Sequence, residues 1–318
     1  MSRTLVAADP ASLRPRLRGV LAFPITPFDE RGGLDEAGLR SNATWLAASG
    51  IHALVAPSGT GEFFGLSPAE CTAVVAATVE AAAGRVPVIA GVGFGPRVGA
   101  DLARDAERAG ASGILVMPPY YAHPDPDALL RYIAAIAEAT SLGVLVYARD
   151  GIVLSAEQLA CLAHDLPNLV GFKDGRGDVR LFQRLREHIV ERFGAERFVW
   201  LAGAGDDLVA PYFAVGAEGY TSSLACFWPE ASLELYRFAR DGDNAGLAEF
   251  HRRVVRPFYE IRQRRRGYEV SVMKAAMDLL GHPAGPVRPP LADITADERR
   301  QLQAILTRLG VPSAADRR

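Results

Sequence analysis

The chain has 318 residues, 49% of them hydrophobic, and 35 Lys and Arg against 37 Asp and Glu give a formal net charge of -2. That length and apolar fraction support a large core, and near-neutral charge argues against nucleic acid as a main partner, which would favour a basic face. Three cysteines (Cys71, Cys161, Cys226) form an odd set without CxxC spacing, which argues against a disulfide framework or zinc finger and fits a reducing compartment.

Residues 1–18 carry Arg3, Arg14, Arg16 and Arg18 without a continuous apolar segment, so they fail as a secretory signal. No run approaches membrane-spanning length. A soluble cytoplasmic protein is expected. Arg18–Phe23 reads as a short strand stopped by Pro24 and Pro27. Leu34–Ser49 is predicted as a helix, with Leu39, Ala43, Leu46 and Ala47 at helical spacing and Gly50 as its stop. Ala53–Ala56 is the next strand, followed by the turn Pro57-Ser58-Gly59-Thr60-Gly61-Glu62. Ser67-Pro68-Ala69-Glu70 opens another helix, with serine at the cap and proline at the first position. Further strands are predicted at Val86–Gly91, Gly113–Met117, Val144–Tyr147, Leu169–Lys173, Phe198–Leu201 and Gly219–Ser222. Helices are predicted between them at Val98–Ala109, Asp127–Ala139, Ala156–Asp165, Val179–Arg192 and Asp207–Val215.

Eight short apolar strands, each followed by a helix, call for a parallel sheet and match a closed (β/α)8 barrel, the TIM barrel of the α/β class. A doubly wound open sheet competes, but its first turn would carry a glycine-rich phosphate fingerprint where this chain has Pro-Ile-Thr-Pro. From Pro229 onward helical periodicity replaces the strands. The expected division is a barrel carrying the active site over residues 1–228 and a helical region over 229–318.

Chemistry in this fold gathers at the C-terminal strand ends. The run Leu169–Phe172 reads as a strand buried on both faces and ends in Lys173, where desolvation disfavours the ammonium form. A partly neutral amine there can attack a ketone to form a Schiff base. The bland reading is a lysine snorkelling to water. Tyr147 ends another strand, either as amphipathic packing or as a proton shuttle to a Lys173 imine. Arg149 is either a loop charge or a carboxylate fork. Ser58–Gly61 is either a tight turn or a nest of N–H groups with the Thr60 hydroxyl. Thr221–Ser223 adds hydroxyls. The glycine pairs Gly91/Gly93 and Gly203/Gly205 are assigned to barrel turns, and Arg262–Arg266 to a solvated helix face. The six histidines show no HxH or HExxH pairing, so a metal site is not expected.

Together these segments resemble the dihydrodipicolinate synthase / N-acetylneuraminate lyase family of class I Schiff-base barrels. The matching pieces are Phe23–Phe28, Gly59-Thr60-Gly61-Glu62, Pro118-Pro119-Tyr120, Tyr147 and Gly171-Phe172-Lys173-Asp174. Ser58–Phe64, Arg149-Asp150, Gly267–Ser271 and Gly285-Pro286-Val287-Arg288 look most like the 5-dehydro-4-deoxyglucarate dehydratase subgroup. The resemblance implies that Lys173 forms the imine, Tyr147 relays protons, and Gly59, Thr60 and Gly61 hold the carboxylate beside the ketone. It further implies that Arg149, Ser222 and Ser223 take the distal end of a keto sugar acid. The implied reaction is loss of water and CO2 from 5-dehydro-4-deoxyglucarate, giving 2,5-dioxopentanoate, with no cofactor. A homotetramer built from dimers is also implied, with Tyr120 or Tyr121 near the subunit contact.

Four positions depart from the pattern. Gly59 stands where family synthases carry a hydroxyl, Ala148 where the dehydratases carry Asn, and Leu224–Phe227, with Cys226, lacks their second Asn. Tyr121 stands where they carry an apolar residue. The two missing amides are expected to remove distal hydrogen bonds of about 1 kcal/mol or more each. The alternatives are another class I 2-keto acid aldolase or synthase acting on pyruvate, and a non-catalytic sugar-acid sensor.

Overall fold

A computed structural model describes residues 9–119 and 123–317. Tyr120 and Tyr121, the residues expected near a subunit contact, lie outside the described residues. Eight parallel strands close into a barrel in sequence order: β1 (Val20–Ala22), β2 (Ala53–Val55), β3 (Val88–Val92), β4 (Gly113–Val116), β5 (Gly143–Ala148), β6 (Leu169–Asp174), β7 (Val199–Ala202) and β8 (Gly219–Ser222). Closure is made by β1 against β8, where Val20 pairs with Tyr220 and Ala22 with Ser222. An open sheet would leave both of these strands with an unpaired edge, so that alternative is overturned.

The helices that follow the strands are α1 (Glu36–Ala48), α2 (Pro68–Ala82), α3 (Pro96–Arg108), α4 (Pro126–Ala137), α5 (Ala156–Asp165), α6 (Val179–Phe193), α7 (Val209–Ala214) and α8 (Pro229–Arg240). Their starts follow capping chemistry. Ser67 with Glu70 and Ser155 with Gln158 form reciprocal capping boxes that satisfy otherwise orphaned N–H groups. Gly50, the expected stop of the first helix, adopts φ +90 just beyond the Ser49 cap. The predicted helix Asp207–Val215 is shorter than expected, because a 3-10 turn over Asp206–Leu208 precedes α7.

The N-terminal stretch also differs from the strand-first reading. Pro10–Leu17 forms a 3-10 helix that buries Leu13 and Leu17. Leu13 packs so closely on Gly113 and Gly143, which begin β4 and β5, that a Cβ at either would sit under 3 Å from its Cδ2. Glycine at both strand starts therefore makes room for a plug at the end of the barrel opposite the site.

Beyond α8 come α9 (Asn244–Phe250), a π turn (His251–Val255), α10 (Arg256–Arg262), α11 (Tyr268–Leu279) and α12 (Ala296–Leu309). The outer wall is set by aromatic packing. Phe172 of β6 lies 5.7 Å from Trp200 and 6.4 Å from Phe182 of α6, between ring centroids. Phe172 therefore faces outward, and alternation along the strand turns Lys173 into the barrel mouth.

Candidate active site

The β5–β6 register pairs Tyr147 with Lys173 and Ala148 with Asp174. Lys173 is only 3% exposed. Its Nζ lies 3.5 Å from the Tyr147 ring centroid and 4.4 Å from that of Phe23. Burial pushes the Lys173 amine well below the usual lysine range, and the Arg149 charge pushes the same way, while Asp174 opposes both. This is the state a nucleophilic amine needs. Snorkelling to water, the bland alternative, is overturned.

Asp174 points away from the amine. Its Oδ1 accepts the Arg176 N–H at 3.1 Å, and its Oδ2 accepts the Tyr212 hydroxyl. It caps the following turn and acts on Lys173 only through space. Two glycines make room for Lys173 and Tyr147. A Cβ at Gly203 would sit 2.5 Å from Lys173 Cε, and one at Gly175 would sit 2.5 Å from the Tyr147 ring.

The Tyr147 hydroxyl accepts a hydrogen bond from Arg149 Nη1 at 3.2 Å. Burial raises the phenol's pKa and the Arg149 charge works against that shift. Arg149 thus sits against the Tyr147 hydroxyl as well as lining the cavity. In the turn after β2, Ser58, Gly59 and Thr60 face the same cavity, whose volume is about 320 Å3. Gly61 does not line it. Its carbonyl accepts the Thr26 hydroxyl at 2.7 Å, and a Cβ there would lie 3.1 Å from the Pro24 carbonyl oxygen.

The sequence model described as the dihydrodipicolinate synthetase family matches residues 16–309. The chain belongs to that family. It is 39% identical over 293 residues to a protein of Bradyrhizobium diazoefficiens named probable 5-dehydro-4-deoxyglucarate dehydratase, covering 92% of each chain. A Ralstonia nicotianae protein of the same name is 41% identical, over 92% of this chain and 93% of its own. The crystal structure of dihydrodipicolinate synthase from Bacillus clausii superposes with a TM-score of 0.87 at 28% identity, covering 94% of this chain and 99% of its own.

In this dihydrodipicolinate synthetase-family barrel the β8 end is organised by a carboxylate that sequence reasoning missed. Asp206 is fully buried. It accepts the Ser222 hydroxyl, the Tyr259 hydroxyl at 2.8 Å and the Ser223 N–H at 3.0 Å. Burial raises the Asp206 pKa, and those donors pull it back. Ser222 Oγ also contacts Ser232 Oγ at 2.7 Å and accepts the Ala225 N–H at 3.0 Å. Its hydroxyl is thus committed to the protein, although Thr221, Ser222 and Ser223 all line the cavity.

Among the expected distal losses, neither Ala148 nor Cys226 lines the cavity. Cys226 is buried with its Sγ 2.9 Å from the Phe23 carbonyl oxygen, and burial raises its thiol to about 12. Residues from the C-terminal region line the cavity instead, including Arg262 of α10, Glu269 of α11 and Arg288 of the loop between α11 and α12. Arg262, the last residue of α10, packs 4.6 Å from the Tyr259 ring centroid, so the solvated-helix-face reading fails for it; Arg264, Arg265 and Arg266 are exposed but lie in the turn beyond α10 rather than on a helix. Its only sequence signal was helical phase. It falls on the same face as Tyr259, three residues earlier. Among the described residues no cluster of three or more His, Cys, Asp or Glu could hold a metal ion.

Proposed function

We propose that this Schiff-base lyase dehydrates and decarboxylates 5-dehydro-4-deoxyglucarate to 2,5-dioxopentanoate, the activity named for relatives of about 40% identity. The observation that carries the reading is a lysine amine whose pKa burial depresses, set against the ring of a tyrosine whose hydroxyl is hydrogen-bonded. A cavity of about 320 Å3 suits a six-carbon dicarboxylate.

In this reading Lys173 Nζ attacks the ketone carbon and water leaves, giving the imine. Tyr147 relays the protons of that step. Gly59 and Thr60, with Ser58, present N–H and hydroxyl groups to the carboxylate beside the ketone. Gly61 shapes their turn. With the imine as electron sink, the proton on the adjacent methylene leaves, and hydroxide departs from the next carbon. The carbon–carbon bond to the distal carboxylate then breaks, its electrons run through the conjugated system to the imine nitrogen, and CO2 is released. The chain takes up protons and the resulting enol becomes the aldehyde. Hydrolysis of the imine returns Lys173, so one water and one CO2 are lost in total. Arg149 sits closest to the proton relay, while Thr221, Ser223 and Arg262 remain for the distal end. Ser222 acts there by holding Asp206.

We extend the proposal to a cytoplasmic homotetramer built from dimers, as the family resemblance implies. No helix among the described residues is long and apolar enough to cross a membrane. We keep residues 1–228 and 229–318 as the two regions, with both contributing to the cavity. The testing experiment is borohydride trapping followed by intact-protein mass, with the keto sugar acid and separately pyruvate, while CO2 is measured. An adduct on Lys173 with CO2 from the sugar acid is expected. An adduct with pyruvate but no CO2 from the sugar acid would move the function to another aldolase, and no adduct with either would point to a narrower keto-acid substrate or to a sensor.

A further inference from the structure

Glu62 ends the carboxylate-facing turn in a left-handed conformation, φ 55, which is costly for a residue with a Cβ and persists only where the surroundings hold it. Here the C-terminal region holds it. Glu62 Oε1 lies 2.6 Å from Lys274 Nζ of α11, with the two side chains only 2% and 1% exposed. Its other oxygen accepts the Arg288 N–H at 2.8 Å. Lys274 Nζ donates to the Pro286 carbonyl at 2.7 Å and lies 4.0 Å from the Phe28 ring centroid. Upstream, the Glu62 N–H donates to the Gly59 carbonyl at 3.1 Å, and downstream Gly65 N–H donates to the Glu62 carbonyl at 2.7 Å. The Arg288 guanidinium then closes on the Gly65 carbonyl and on Glu70.

A buried ion pair is a poor device for stability, because desolvating both charges consumes most of their attraction. It is a good device for geometry, since each charge tolerates only one arrangement of its partner. Glu62 itself lines the cavity beside Thr60, so a shift of this pair moves the turn that faces the substrate.

We propose that Lys274 is a positioning residue for substrate binding: through Glu62 it holds the Gly59–Thr60 turn in the conformation that receives the carboxylate beside the ketone. The inference rests on the reading of that turn given under the proposed function. It makes the C-terminal region a working part of the site rather than an appendage.

The test uses pyruvate as the probe, because its carboxylate and ketone engage the turn and Lys173 without a distal end. The concentration giving half-maximal borohydride trapping is measured for wild type, Lys274→Met, Lys274→Arg and Glu62→Gln, beside KM and kcat for the keto sugar acid. Lys274→Met should raise the half-maximal concentration and KM by at least about tenfold with kcat changed much less, the signature of lost uniform binding. Lys274→Arg should recover most of that affinity. If Lys274→Met does not fold, the isosteric Glu62→Gln carries the test with the same expected rise. A folded Lys274→Met or Glu62→Gln with wild-type affinity for both ligands and only a lower Tm would overturn the proposal and leave a structural strut. Absence of trapping in the wild type with either ligand would instead overturn the underlying reading of the site, and the inference with it.

Discussion

Lys173 Nζ sits over the face of the Tyr147 ring, 3.5 Å from its centroid. That aromatic face offers a cation partial compensation, yet the full burial of the amine and the nearby Arg149 charge keep its pKa well below the usual lysine range. The pair therefore favours the neutral nucleophile at pH values where a free lysine is protonated. The single-turnover rate of imine formation should rise with pH to a plateau whose midpoint lies well below 10.5. A midpoint in the free-lysine range, measured by stopped trapping across pH, would contradict this.

The same shift has a stability consequence. Because the folded-state pKa of Lys173 is depressed, the unfolded chain binds more protons between the folded and unfolded values, and stability rises with pH through that window. Below it the buried charge is a cost that the folded protein carries. Lys173→Met should therefore unfold at a higher temperature than wild type near neutral pH. It should also give no borohydride adduct and lose more than about 10^3-fold in kcat. Calorimetry and intact mass check the two halves independently.

Tyr147→Phe keeps the ring under Lys173 and removes the hydroxyl held by Arg149. The expected loss in kcat is about 10^2 to 10^4-fold, the range for a positioned proton-transfer group. The Lys173 adduct should still form on longer incubation. A kcat within threefold of wild type would show that another group, or water, relays the proton.

Gly203→Ala would place a Cβ 2.5 Å from Lys173 Cε and 2.7 Å from the Asp174 carbonyl oxygen. The lysine must swing aside, and displacement of a reacting atom by about 1 Å costs on the order of 10^2-fold in rate. A circular dichroism spectrum unchanged from wild type with kcat lowered to that extent is the expected result. Unchanged turnover would mean that Lys173 reaches the substrate from a second rotamer.

Glu70 accepts two hydrogen bonds from the Arg288 guanidinium, at 2.6 and 3.0 Å, and one from the Ser67 N–H. Arg288 foremost brings the Glu70 carboxyl down from 4.5 to about 2. A depressed carboxylate stabilises the fold above its unfolded pKa and loses that contribution as pH falls through the folded value. Glu70→Gln should cost about 1–2 kcal/mol at neutral pH, discounted for partial exposure. The difference from wild type should shrink as pH falls from 4.5 toward 2 in denaturant titrations.

Local pattern carried the barrel. Each β/α unit announces itself through a short apolar run, a polar turn and a 3.6-residue periodicity, all readable within about twenty residues, and eight such units leave few other architectures. Lys173 was legible for the same reason: a charge at the end of a strand buried on both faces is visible in one segment. What the sequence did not determine lies in contacts between distant segments. Lys274 is 212 positions from the Glu62 it neutralises, and Asp206 becomes the organiser of Ser222 and Ser223 only once Tyr259 folds back on it. The outward turn of Asp174, the commitment of Ser222 and the exclusion of Ala148 and Cys226 from the cavity likewise follow from which neighbours pack on either face. Propensity and periodicity are properties of neighbours along the chain. Burial, pKa and which oxygen accepts a given proton are properties of neighbours in space, and those exist only after the barrel closes and the C-terminal region packs beside its mouth.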